Sequence, residues 1–249
     1  SQNCWDEGDG LPSDGPTGWQ DYTSVRFVGT NQLMVTTLNG AAVFDTNTYS
    51  VIEEWNTESA SDNSPVVMHN GIVYLGLNGD GILRYNTSSN LWMPKWSSAN
   101  NMIPNNQITA LALYESVPAL WVGGDDNFDL TQIDLNTGTV IGNVDYGTEG
   151  LEELPPQKLI IDSDVLYFIP ELSSQGDNIG RIDLTTGNLG YVSVADGAIN
   201  PSDEFGDDIF IHGADIVNGV LHIGASEAET RWWASYDEGY IIRYNLTSE

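Results

Sequence analysis

The feature that most restricts how this chain folds is a segment that recurs five times along it. Each copy reads as an apolar strand, a tight turn, a strand with an aromatic or bulky centre, a Gly/Asp loop, and a strand closing on Asp or Asn. The second copy has Gly71-Ile72-Val73-Tyr74-Leu75-Gly76 and then Gly81-Ile82-Leu83-Arg84-Tyr85-Asn86; the third has Ala119-Leu120-Trp121-Val122-Gly123 and then Thr131 to Gly138. The fourth pairs Asp164 to Phe168 with Gly180 to Gly187, and the fifth pairs Gly219 to Gly224 with Tyr240 to Asn245. The first is the least regular, with Gln32-Leu33-Met34-Val35-Thr36 followed by Gly40 to Asp45.

The closing residues, Asp45, Asn86, Asp134, Asp183 and Asn245, are separated by 41, 48, 49 and 62 residues. Helical periodicity is nearly absent, and short alternating runs bounded by Gly, Asn, Asp and Pro fill the chain. Repeats of about 40–50 residues made of four short strands are the mark of β-propeller blades. The expected fold is therefore all-β: a propeller of five four-stranded blades in one domain, with units near 20–58, 59–99, 100–150, 151–198 and 199–249 plus 1–6. A turn of the Asn-Thr-Gly or Thr-Thr-Gly kind follows each closing residue, and a fourth strand is expected at Ser50 to Trp55, Leu91 to Trp96, Thr139 to Val144 and Leu189 to Val194. The fifth unit lacks one, so the N-terminal Asn3-Cys4-Trp5 is expected to complete it and remove an exposed sheet edge. The competing expectation is a piece of a longer propeller. The longest step holds an insertion, Glu227 to Glu238.

The third unit resembles the two-component-regulator propeller repeat. The matching residues are Ile103-Pro104-Asn105-Asn106-Gln107-Ile108-Thr109-Ala110-Leu111 and Leu120-Trp121-Val122-Gly123, and Gly10-Leu11-Pro12-Ser13 is similar to a second lead-in. The Asp-Leu-Thr-Gly element is shared with other propeller repeats, which places the likeness at the level of a superfamily of blades. The resemblance implies an extracytoplasmic sensing or binding domain with no catalytic motif in the repeats themselves.

Composition narrows the partners. The chain has 36 Asp and Glu against 7 Lys and Arg, a formal net charge of −29. Such a field repels nucleic-acid phosphates and anionic membranes, so neither nucleic-acid binding nor membrane insertion is expected. No apolar run is long enough to span a bilayer. Lysine is scarce, only Lys95 and Lys158, which fits a marine or halophilic source. Cys4 is the single cysteine, which rules out an intrachain disulfide and a Cys-based zinc site. Asn86-Thr87-Ser88 and Asn245-Leu246-Thr247 match the N-glycosylation triplet.

Two groups of residues are candidates for binding. The insertion supplies Trp232, Trp233 and Tyr236, joined by Trp19 and Tyr22 from the first unit, as aromatic faces for a sugar or a protein. Clustered carboxylates at Asp125, Asp126 and Asp129, and at Asp203, Asp207 and Asp208, offer the hard oxygens that Ca²⁺ requires, without the spacing of an EF-hand. The alternative to those six is solvated acidic loops. His222 occupies the place held by Tyr74, Trp121 and Tyr167 and reads as an aromatic substitute. The expected function is a secreted or cell-surface, non-catalytic module that recognises glycan or protein, with calcium as the candidate cofactor. The alternatives are a propeller glycoside hydrolase using Asp21, Asp162, Asp164 or Asp215, and a structural segment of a larger surface assembly.

Overall fold

The computed structural model describes residues 22–37, 40–56, 64–124, 129–146, 155–170, 179–192, 209–227 and 238–246. Five antiparallel sheets follow one another along the chain, each strand hydrogen-bonded to the next in sequence. The first holds β1 (Tyr22–Gly29), β2 (Gln32–Thr37), β3 (Gly40–Asp45) and β4 (Ser50–Asn56). The second holds β5 (Val66–His69), β6 (Ile72–Leu77), β7 (Gly81–Asn86) and β8 (Leu91–Trp96). The third holds β9 (Ile108–Tyr114), β10 (Ala119–Gly124), β11 (Asp129–Asp134) and β12 (Val140–Asp145). The fourth holds β13 (Pro156–Asp162), β14 (Val165–Pro170), β15 (Ile179–Asp183) and β16 (Leu189–Val192). Among the described residues the fifth has three strands, β17 (Ile209–Val217), β18 (Val220–Glu227) and β19 (Glu238–Asn245). Residues 3–5, expected to add its fourth strand, lie outside the described residues.

The strands group into two compact units: 1–124 with 131–142, and 125–130 with 143–249. In the first, one face of the first sheet (Val28, Met34, Ala41, Val43) packs on Val73, Leu75, Leu77, Leu83 and Tyr85 of the second. The opposite face of the second sheet (Tyr74, Ile82, Trp96) packs on Ile108, Leu111, Leu120, Val122 and Ile133 of the third. In the second unit, Tyr167, Ile169 and Ile179 of the fourth sheet meet Leu221 and Ile223 of the fifth. Sheets with two apolar faces follow from strands read as near-continuous hydrophobic runs, such as Ile72–Leu77 and Val165–Pro170. The fourth strands are the polar ones, with β12 alternating between exposed and half-buried residues.

The closing Asp or Asn of the first four repeats makes local hydrogen bonds that explain its presence. The Oδ1 of Asp45 accepts from the backbone N–H of Asn47 (2.7 Å) and Thr48 (3.1 Å). Asn86 Oδ1 accepts from Ser88 and Ser89, Asp134 Oδ1 from Asn136 and Thr137, and Asp183 Oδ1 from Thr185 and Thr186. This is an Asx turn, in which a short polar side chain stands in for a backbone carbonyl. Four residues after each of these anchors the backbone is left-handed, with φ of 57° at Tyr49, 57° at Asn90, 72° at Gly138 and 75° at Gly187. The residue after the anchor then donates its N–H to the turn between the first and second strands: Thr46 to Asn31, Thr87 to Gly71, Leu135 to Pro118, Leu184 to Asp164 and Leu246 to Gly219. One end of every sheet, here the turn end, is thus fastened by the same bonds.

Candidate functional site

In an antiparallel meander the connections from second to third strand and from fourth to the next first strand leave from the end opposite those turns. In chain order, the candidate binding residues named from sequence fall before or between strands at such connections. Asp125 and Asp126 fall between β10 and β11, Asp203, Asp207 and Asp208 between β16 and β17, and Trp232, Trp233 and Tyr236 between β18 and β19. Trp19 precedes β1. All of these lie outside the described residues, as does Asp21. Tyr22 opens β1 at the same end, opposite Thr37 of β2. Asp129 opens β11, half-buried, and its Oδ2 accepts a hydrogen bond of 2.9 Å from the side-chain amide of Asn143. Among the described residues no three His, Cys, Asp or Glu side chains gather as a metal site does.

The connection from β8 to β9 shows how a loop of this end is built. Ser97 N–H bonds to Asn100 Oδ1 (2.9 Å), and the Asn100 amide returns to the carbonyl of Lys95 (2.7 Å). Ser98 N–H bonds to Asn106 Oδ1, and Gln107 N–H to Asn105 Oδ1, both at 2.8 Å. The Asn106 carbonyl accepts from Gly79 and Gly81 of the β6–β7 connection, while Ile103 is buried in the apolar seam of the second and third sheets. The Ile-Pro-Asn-Asn lead-in is therefore a brace: it plugs the core with Ile103, ties its own connection together through the Asn105 and Asn106 side chains, and holds the start of β7 through the Asn106 carbonyl. Lys95 makes an ion pair with Asp80 beside it. The sequence shows this segment as a family mark and not its mechanical role, for which the four Asn at 100, 101, 105 and 106 are the available signal.

Below the loops, a row of side chains crosses each sheet. In the second sheet it runs Val67, Tyr74, Arg84 and Met93, in the fourth Ile160, Tyr167, Arg181 and Gly190. In the fifth it is Asp215, His222 and Arg243, which confirms His222 as the register equivalent of the tyrosines. Arg84 lies over the Trp96 ring at 4.6 Å and donates to the Pro94 carbonyl from Nε (3.0 Å) and Nη2 (2.7 Å). Burial lowers its pKa, the Tyr74 phenol opposing, and burial raises that of Tyr74, Arg84 opposing. Trp121, in the same position, is 4% exposed. At Tyr74, Trp121 and Tyr167 the row is core, while Asp215 and Arg243 in the fifth sheet are exposed. As for the hydrolase candidates, Asp162 and Asp164 flank the exposed first turn of the fourth sheet, and Asp215 lies two residues from the end of β17, at the turn end.

No helix among the described residues is long and apolar enough to cross a membrane. No family model and no curated protein matches the sequence. Solved structures do. The extracellular domain of BT4673 from B. thetaiotaomicron, solved twice and described as a putative one component and a putative hybrid two component system, superposes with TM-scores of 0.60 and 0.59. Identity is 13% and 14%, and the match covers 87% and 92% of this chain but 30% of either domain. The Neurospora crassa Pan2 WD40 domain gives a TM-score of 0.59 at 12% identity, covering 90% of this chain and 62% of that one. The chain thus spans less than a third of the first two neighbours' length. At such identities the likeness speaks for the fold alone, and it agrees with the repeat: this chain is a β-propeller protein made of four-stranded antiparallel blades.

Proposed function

We propose that the chain is a non-catalytic, extracytoplasmic binding propeller that recognises a glycan through the connections at the loop end of its sheets, with Ca²⁺ as the candidate cofactor. The observation that carries this reading is the contrast between the two ends. The turn end repeats the same bonds in all five sheets, so its residues are committed to holding strands together. The other connections differ from copy to copy, and in chain order the aromatic insertion and both acidic clusters belong to them. Binding residues concentrate on variable connections held by a rigid scaffold. Flat indole and phenol rings stack on sugar faces, and carboxylates with carbonyls suit a hard cation. The extracellular neighbours support the location, and a place in a larger surface assembly is compatible with it.

The test is a glycan array probed with and without chelator, using the native chain beside W232A and W233A variants. Glycan signals lost in both variants and weakened by chelator are expected. Silence in both conditions removes the glycan ligand and leaves a protein partner at the same end as the reading to pursue.

A further inference from the structure

Among the repeat's closing residues, two are Asn where the other three are Asp, and both Asn begin an Asn-x-Ser/Thr triplet: Asn86-Thr87-Ser88 and Asn245-Leu246-Thr247. The geometry at the first points to a modification. We propose that Asn86 is an attachment site for an N-linked glycan, one that the folded turn accepts without rearrangement.

The argument rests on how the turn uses the side chain. The cap is made by oxygen alone: Asn86 Oδ1 accepts from Ser88 N–H at 2.9 Å and from Ser89 N–H at 3.0 Å. Asp45, Asp134 and Asp183 make the same bonds, which shows that the turn has no need of an amide nitrogen. Among the described residues Asn86 Nδ2 donates no hydrogen bond, and it is not one of the buried polar atoms left without a partner. Glycosyl transfer forms the Nδ2–C1 bond and breaks the C1–O bond of a lipid-diphosphate-linked oligosaccharide; the lipid diphosphate leaves with the amide proton, and Oδ1, and hence the cap, stays intact. The neighbouring bonds are independent of it. Thr87 bonds through both N–H and Oγ1 to the Gly71 carbonyl, and Gln32 of the first sheet bonds to the Thr87 carbonyl and Asn90 Oδ1. Directly across the strand pair stands Leu91, 57% exposed, the kind of apolar surface that an attached glycan screens from other chains. The site is at the turn end, away from the proposed ligand site, so it stands or falls separately from the ligand reading; it shares with that reading only the passage outside the cytoplasm.

The experiment secretes the full chain from cultured animal cells behind a cleavable leader. Glycopeptide mass spectrometry then compares it with Asn86→Asp and Ser88→Ala, and each product is melted before and after enzymatic glycan removal. The expected result is a glycan on Asn86 in the parent, absent in both variants, with Asn86→Asp melting within about 2 °C of the deglycosylated parent because Asp supplies the same cap. Ser88→Ala removes the acceptor triplet while keeping Asn86, so loss of the glycan there assigns the effect to the triplet. An unmodified Asn86 in secreted, folded parent overturns the proposal. So does a glycosylated parent that melts well below its deglycosylated form, since the turn would then not tolerate the attachment.

Discussion

Trp121 sits at the residue position that also holds Tyr74, Tyr167 and His222, and it is 4% exposed. Replacing it by Ala removes a buried aromatic and leaves a cavity, at a cost of about 3–5 kcal/mol. Denaturant unfolding measures this, and an unchanged midpoint would put the ring outside the core. The Asx caps have their own signature in acid. The carboxyl of Asp183 is held below its usual pKa by the Thr185 hydroxyl and the backbone N–H groups of Thr186 and Thr185; that of Asp134 is held there chiefly by the N–H of Asn136. A depressed carboxyl pKa contributes stability that is present above the unfolded-state value of about 3.9 and is lost as pH falls through the folded one. Asp183→Asn, which keeps the acceptor oxygen and cannot titrate, is expected to flatten the decline in melting temperature below about pH 4; an unaltered acid slope contradicts the cap. These anchors were legible in the sequence because physics demands a short side chain with an acceptor there, and the repeat shows it five times. His222 was legible for the same reason: register, not chemistry, put it there. The setting of Asp129 was not, since an acid grouped with Asp125 and Asp126 gives no sign that it opens β11 and is claimed by Asn143.

At the scale of elements, the sheets are set by strand pairs whose close approaches forbid side chains. At Gly81, φ is 86° and a Cβ would lie 2.2 Å from the Trp96 carbonyl oxygen, with Ile103 behind it. Gly81→Ala therefore meets both a left-handed backbone and a backbone atom that cannot step aside, and should destabilise by about 1–3 kcal/mol. A thermal melt within error of the parent would show that β7 has room to shift. Strand positions followed from the repeat with little slippage: the fourth strands expected at 50–55, 91–96, 139–144 and 189–194 form at Ser50–Asn56, Leu91–Trp96, Val140–Asp145 and Leu189–Val192. The insertion read as Glu227 to Glu238 is bounded by the last residue of β18 and the first of β19. Connections were less legible. The repeat locates strands because the same apolar runs, buried on both faces, recur in each copy, and loops carry no such constraint. The Ile-Pro-Asn-Asn brace illustrates it: its amide bonds join segments whose sequences alone give no pairing rule.

At the scale of the whole molecule each sheet is a copy of one device: antiparallel strands paired in chain order, four in the first four sheets and three described in the fifth, with a fastened turn end and connections that vary. The formal charge of −29 sets up a field that opposes other polyanions, but the architecture rests on the apolar seams between sheets. Fold and repeat were readable because they are written many times over. The proposed ligand site has no such repetition, because it draws on connections that differ from copy to copy. Hydrogen–deuterium exchange followed by mass spectrometry along the native chain tests the repeated device most directly. Strands bonded on both sides, β2 and β3, β6 and β7, β10 and β11, and β14 and β15, are predicted to exchange slowest, and protection should rise and fall once per repeat in step with the anchors at 45, 86, 134 and 183. Protection confined to one continuous block, or unrelated to those anchors, would contradict the propeller.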